Sequence, residues 1–423
     1  MTRPKSASGI WTGLSGIVGC VAAIVLLHDW QAAPHLKTMA VVGLCAAIMI
    51  AVDVAVHRAI EQSGLAAQPA ATNWQRIIQK LIGLWATFGL IGLCYWLLPI
   101  YADGYYRPFF DALLVMLPAL VVASPVYIWF VDRRQASPED AYVEIARLIS
   151  GTVPRDWNVV FDHLRAWTVK GFFLPLMFVF LNSDLANLWS VPLVPTINGF
   201  HDIYDHLYDG IYLFDVLLAS VGYLLTLKLF GSEIRSAEPT LWGWLVCLAC
   251  YPPFWAQTSQ YFSYDQDNTY WGNFFGGNPI LYPLWGSIIL VLVAIYVWAT
   301  ASFGIRFSNL THRGIITSGP YRWVKHPAYL SKNLSWWLIS MPFIAGTGDW
   351  SMAVRSSVLL AGVNLIYFFR AVTEERHLSR DPVYREYQAY IAEHGLLAVV
   401  RRLWARKSTP IAKPPNHAEL VDK

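Results

Sequence analysis

Two polar stretches in the last third of the chain hold residue types that could do chemistry together. The first reads Gly319-Pro320-Tyr321-Arg322-Trp323-Val324-Lys325-His326-Pro327-Ala328-Tyr329-Leu330. The second runs from Phe368 through Arg370-Ala371-Val372-Thr373-Glu374-Glu375 and on past Asp381-Pro382 to Tyr384 and Tyr387. His326 precedes a proline, which pushes it toward an extended backbone, and Pro327 suits the first turn of a helix. A helix start beside Lys325 and His326 supplies free N–H groups, a dipole and a cation, a combination that suits a carboxylate or a phosphate. Glu374 and Glu375 supply the opposite charge, and the tyrosines supply faces that attract a cation. The same residues have plainer uses. Arg370 and Glu374 have the spacing of a helix ion pair, Lys325 follows the inside-positive bias, and tyrosines anchor helices at interfaces.

The elements that must position these residues are membrane helices. Of the 423 residues, 56% are hydrophobic and 14% charged, against about 25% charged in an ordinary soluble domain. The fold expected is all-α, a polytopic transmembrane bundle of about ten spans. They are Ile10 to Leu27, Met39 to Val56, Leu81 to Tyr101, Phe109 to Val131, Trp167 to Leu181, Ile211 to Phe230, Leu241 to Trp255, Ile280 to Phe303, Leu330 to Ala345 and Met352 to Val372. Pro252, Pro253 and Pro342 predict kinked or partly re-entrant helices in the seventh and ninth spans. The last two spans are joined by a few residues around Gly346 to Ser351 and form an antiparallel hairpin. That hairpin brings Glu374 and Glu375 close to Lys325, His326 and Tyr329.

Lysine and arginine fall almost wholly on one side of this alternation. With the N-terminus inside, only Lys37, Arg107 and Arg355 of the 31 lie elsewhere, so both termini are expected in the cytoplasm. The long loops Asn182 to Gly210 and Ala256 to Asn278 carry neither lysine nor arginine and belong outside. In the first, His201, Asp202, Asp205, His206 and Asp209 have helical spacing that suits a divalent metal or a solvated acidic loop. Asp265 and Asp267 imitate only the start of a calcium loop. The cysteines, Cys20, Cys45, Cys94, Cys247 and Cys250, all fall in expected spans and read as small apolar residues, even though Cys247 and Cys250 have CxxC spacing. A lipoprotein cleavage pattern at Ile17 to Cys20 fails because the apolar run continues to Leu27. Asp53 reads as an ion-path residue or as a buried carboxylate bonded to a neighbouring helix. No metal site is expected.

The two polar stretches resemble the isoprenylcysteine carboxyl methyltransferase family and the related membrane phospholipid N-methyltransferases, over roughly residues 280 to 390. The match lies in Gly319 and Tyr321, then Lys325-His326-Pro327-Ala328-Tyr329, then Glu374-Glu375, then Tyr384 and Tyr387. The sequence departs from the family pattern at Lys325, where the family has arginine, at Ser331, where it has glycine, and at Val372, where eukaryotic members tend to carry a second arginine. The resemblance implies a membrane-embedded enzyme that moves the methyl group of S-adenosylmethionine to a lipid-like or isoprenoid carboxylate, amine or thiol at the cytoplasmic face. It further implies that His326, Arg370, Glu374 and Glu375 are catalytic. Gly319, Tyr321, Lys325, His326, Pro327, Tyr329, Glu374, Glu375, Tyr384 and Tyr387 would hold the cofactor. Its expected partners are the bilayer of a bacterial inner membrane and an amphiphilic acceptor, not nucleic acid.

The chain divides on this view into a helical extension without assigned role, 1 to 210, a catalytic membrane domain, 211 to 407, and a disordered basic tail, 408 to 423. The stretch from Arg401 to Lys423, which includes that tail, reads as a disordered basic segment near anionic lipid. Two other readings stay open. One is an NADPH-dependent reductase of the sterol C14 type, and the other is a transporter or scaffold in which the N-terminal spans do the work.

Overall fold

The computed structural model describes residues 2–57, 59–154, 156–192, 196–265, 270–346 and 348–408. Arg58, Arg155, Asp267, the side chains of Arg406 and Lys407, and the tail beyond Ser408 lie outside what is described. The fold is helical, and among the described residues the strands amount to one two-residue pair. The α-helices of eight or more residues are, in order, α1 (Ile10–Leu26), α2 (Pro34–Val52), α3 (Trp74–Leu97), α4 (Arg107–Asp132), α5 (Ala141–Ile149), α6 (Trp157–Trp189) and α7 (Phe200–Leu224). After them come α8 (Leu241–Leu248), α9 (Phe254–Tyr261), α10 (Leu281–Ser302), α11 (Pro327–Ser340), α12 (Trp350–Leu378), α13 (Pro382–His394) and α14 (Leu396–Ser408).

Among the described residues, seven helical stretches, of 22 to 33 residues, are long and apolar enough to cross a membrane, so this is an integral membrane protein. They correspond to seven of the ten expected spans. The other three are shorter. The first is α1, of 17 residues. The seventh span breaks at Pro252 and Pro253 into α8 and α9, of 8 residues each, because proline cannot donate the hydrogen bond a continuous helix needs. The ninth is α11, of 14 residues, which closes at Met341 in a left-handed conformation just before Pro342. The fifth span is longer than expected, since α6 runs on to Trp189 and takes up part of the expected loop. Residues 401 to 408, expected to be disordered, instead continue α14, where apolar residues recur at helical spacing among the basic ones.

Side-chain caps fix several helix starts. Asp140, Asp156, Thr240, Asp349 and Asp381 each accept from a backbone N–H two or three residues on, satisfying donors that a helix start leaves free. One core unites residues far apart in sequence: Cys20 from α1, Val41 and Met49 from α2, Leu181 from α6, Leu217 from α7 and Ala301 from α10. At Gly13 a β-carbon would stand 2.2 Å from the Ala301 carbonyl oxygen. The missing side chain lets α1 and α10 touch backbone to backbone, a common device where lipid gives helices no hydrophobic reason to associate.

Three polar connections sit at the end of the bundle where α10 stops and α11 begins. Ser236–Ala237 pairs antiparallel with Thr311–His312. Next to this pair the buried Arg313 donates to five carbonyl oxygens, those of Ser232, Gly222, Phe307, Leu225 and Ile305, at 2.7–3.0 Å. Gly222 and Leu225 lie at the end of α7, where a helix leaves acceptors unpaired, and the other three lie in the turns that follow α7 and α10. The second connection is Asp53, which is fully buried, accepts from Thr12 at 3.0 Å and pairs with Arg306 at 3.2 Å. It is therefore the carboxylate tied to neighbouring elements, and Arg306 is an internal partner rather than a surface charge. The third is the segment before α1, where Ala7 N–H donates to Ile315 O at 2.9 Å, Thr317 Oγ1 to Pro4 O at 2.8 Å and Ser318 Oγ to Ser8 O at 3.1 Å.

Candidate active site

The α11–α12 hairpin forms as its short connection requires, and it brings the two polar stretches together. Lys325 Nζ donates to Glu375 Oε2 at 2.6 Å, and His326 Nε2 lies 2.9 Å from Glu375 Oε1. Gln388 from α13 reaches the same carboxylate at 3.2 Å. Tyr329 donates its hydroxyl to Glu374 Oε2 at 2.8 Å, and its ring stacks parallel to His326 at 5.5 Å. The carboxylates thus differ: Glu375 clasps the start of α11 to the end of α12, and Glu374 faces a cavity.

Arg370, one turn back along α12, makes no helix ion pair with Glu374. It donates to Asn309 Oδ1, and its guanidinium lies 5.1–5.8 Å from the ring centres of Tyr251, Tyr329 and Tyr367. Rings and a half-buried amide offset much of the cost of holding that charge away from water. Asn309 is held in turn by Tyr251 and Tyr223, whose hydroxyls accept from its side chain at 3.1 and 2.8 Å.

Two adjoining cavities, of about 700 and 440 Å³, share Ser308, Asn309, Tyr329, Arg370 and Glu374. His326 and Tyr321 face the larger one, with Tyr251, Tyr296, Lys332 and Tyr367. Glu238, Thr373 and His377 line the smaller.

The remaining expected site residues stand behind this wall. Gly319 adopts a left-handed φ of 61°, and a β-carbon there would stand 2.2 Å from Ser302 Oγ, so only glycine fits the turn. Tyr384 and Tyr387 do not line either cavity. They are buried behind Tyr321 with Ile315 and Ile316, and the Tyr387 hydroxyl donates to Tyr321 O at 2.7 Å. Burial pushes both phenols well above their ordinary pKa, so both stay neutral. Lys325, Pro327 and Glu375 shape the α11 start without facing the cavities.

Sequence reasoning missed Asn309, Tyr251, Tyr296 and Asp215. The last could have been found, since a carboxylate inside an apolar span is a functional signal by itself. At the opposite end of the bundle His201 and Asp205 lie 3.3 Å apart, and among the described residues no three metal-ligating side chains converge.

Comparison with curated proteins and with solved structures gives no significant match. A family comparison does: residues 283–380 match the isoprenylcysteine carboxyl methyltransferase (ICMT) family. That stretch spans well under half of the 423 residues, and it contains His326, Tyr329, Arg370, Glu374 and Glu375. Together with the membrane helices it supports a membrane methyltransferase, and the part of the chain that builds the α11–α12 clasp is similar to the isoprenylcysteine carboxyl methyltransferase family.

Proposed function

We propose that the chain transfers a methyl group from S-adenosylmethionine to a lipid-like acceptor at the cytoplasmic face of the membrane. The observation that carries this is the pairing of Glu374, bonded by Tyr329, with the tyrosine-caged Arg370 on one cavity wall inside the family-matched segment. S-adenosylmethionine, when bound, supplies a methyl group on a cationic sulfonium.

The residues present suit that cofactor. Glu374 and the rings of Tyr329, Tyr321 and Tyr367 offer an anion and aromatic faces to a cation. Arg370, held in place by Asn309, offers its remaining N–H donors to a carboxylate. Methyl transfer is an in-line displacement, governed by proximity and by a dry, oriented site. The aromatic lining excludes water, and the clasp through Glu375 fixes the α11 start that presents His326 and Tyr329. For an acceptor that must lose a proton, His326 is the candidate base, its Nε2 oriented by Glu375 and its Nδ1 3.9 Å from Glu374. The cavity lies between helices that face lipid, which suits an amphiphile entering from the bilayer.

Calorimetry of S-adenosylmethionine binding to the detergent-purified protein tests this. Saturable binding is expected, weakened at least tenfold in Glu374→Gln and in His326→Ala. No binding by folded protein would sink the proposal, and NADPH binding in its place would point to a reductase.

A further inference from the structure

The larger cavity has a second charged end. Lys332 lies six residues beyond His326 on α11, which at 1.5 Å per residue is about 9 Å deeper into the bundle. Its ammonium stands over the rings of Tyr296 at 5.0 Å and Trp336 at 5.4 Å, and among the described residues it takes no hydrogen bond or ion pair. Asp215 of α7, buried in the bundle, lies within reach of the charge on Lys332. Its oxygens, however, are engaged by the Tyr296 hydroxyl at 2.5 Å and the Thr300 hydroxyl at 2.6 Å. Tyr296, Thr300 and Lys332 all line the cavity.

A cation at membrane depth is costly and faces a cavity or a partner when it is kept. Aromatic faces lower that cost, and Asp215 offsets part of the charge, but three N–H donors still point at no acceptor. Arg370, bonded to Asn309, is already assigned to the cofactor's carboxylate, which leaves Lys332 as the cation for the acceptor. We infer that Lys332 is a specificity-determining residue that binds the anionic head of the acceptor, with Asp215, Tyr296 and Thr300 holding the pocket around it. An amine-headed amphiphile is disfavoured here, because it would bring a second cation beside Lys332. This rests on the methyltransferase reading for the word acceptor, but the anion site itself does not.

The test uses the full chain in detergent with laurate, dodecylamine and methyl laurate as probes, measured by calorimetry for wild type, Lys332→Met, Lys332→Gln and Lys332→Arg. Lys332→Gln keeps a polar head and serves if Lys332→Met does not fold. Saturable laurate binding is expected in wild type, weaker by roughly tenfold or more without the charge and within about threefold of wild type in Lys332→Arg. S-adenosylmethionine affinity should stay within about twofold throughout. Laurate affinity that ignores the charge at Lys332, tighter binding of dodecylamine than of laurate, or no laurate binding at all would each overturn the inference. Lys332-dependent laurate binding without any S-adenosylmethionine binding would keep the anion site and remove the methyltransferase reading.

Discussion

Replacing Arg313 by methionine should cripple the fold rather than trim it. The guanidinium donates to five carbonyl oxygens, and only Leu225 O keeps a recorded side-chain donor, the Ser232 hydroxyl. Four buried acceptors lose the donor that Arg313 gave them, and an unsatisfied buried polar group costs about 1–3 kcal/mol. The low end of that range, which allows for relaxation and water entry, totals about 4 kcal/mol. At about 2 °C per kcal/mol for a large domain, the midpoint falls by about 8 °C. The chain supplies its own reporter, since Cys20, Cys45 and Cys247 are buried and become reactive to a fluorogenic maleimide on unfolding. Lys at the same position keeps the charge and three donors without the planar fork, and should recover part of the loss. A midpoint for Arg313→Met within about 2 °C of wild type would show that the five contacts are not what joins α7 to α10.

Other consequences follow from the site and its supports. Gly319→Ala meets both a left-handed backbone, worth about 1–2 kcal/mol, and the Ser302 hydroxyl; cofactor affinity measured by calorimetry should fall as the Tyr321 turn shifts, and an unchanged affinity would separate that turn from the site. Asn309→Ala removes a charge-assisted bond of about 1.5–3 kcal/mol from Arg370, so cofactor binding should weaken by roughly tenfold or more and the melting midpoint should fall by about 3–6 °C. Burial lowers the His312 imidazole from its ordinary 6.5 to about 4, against the pull of Asp381 at 3.1 Å. Between those values the unfolded chain binds a proton that the folded chain does not, so stability rises with pH over that window and falls as pH drops from 6.5 toward 4. Thermal melts across that range should show the slope, and His312→Gln should flatten it.

The hairpin was legible because its evidence is local. Two apolar runs with a short connection must lie antiparallel, and this alone places Glu374 and Glu375 near Lys325, His326 and Tyr329. The division of labour between the two carboxylates was not, because Gln388 and the depth of each side chain come from packing. Arg306 and Arg313 were read as marks of sidedness, which explained their charge so fully that no structural role was sought. Asn309 and Tyr251 meet the site across long stretches of sequence, and single polar residues without periodicity give no sign of such partners, whereas Asp215 carried its sign as a carboxylate inside an apolar span. The broken seventh span was foreshadowed by Pro252 and Pro253, whereas the left-handed Met341 that ends α11 leaves no trace in residue type.

The contact of Pro4 to Ser8 with Ile315 to Ser318 also sets an order of events. During synthesis the earlier segment emerges long before its partner, with α1 to α10 to be placed in between. It therefore waits, uncovered, until the turn at Gly319 exists to receive it. The wall behind Tyr321 is completed by one of the earliest parts of the chain meeting one of the latest, so a nascent chain stopped just before that turn holds α1 to α10 and no finished site.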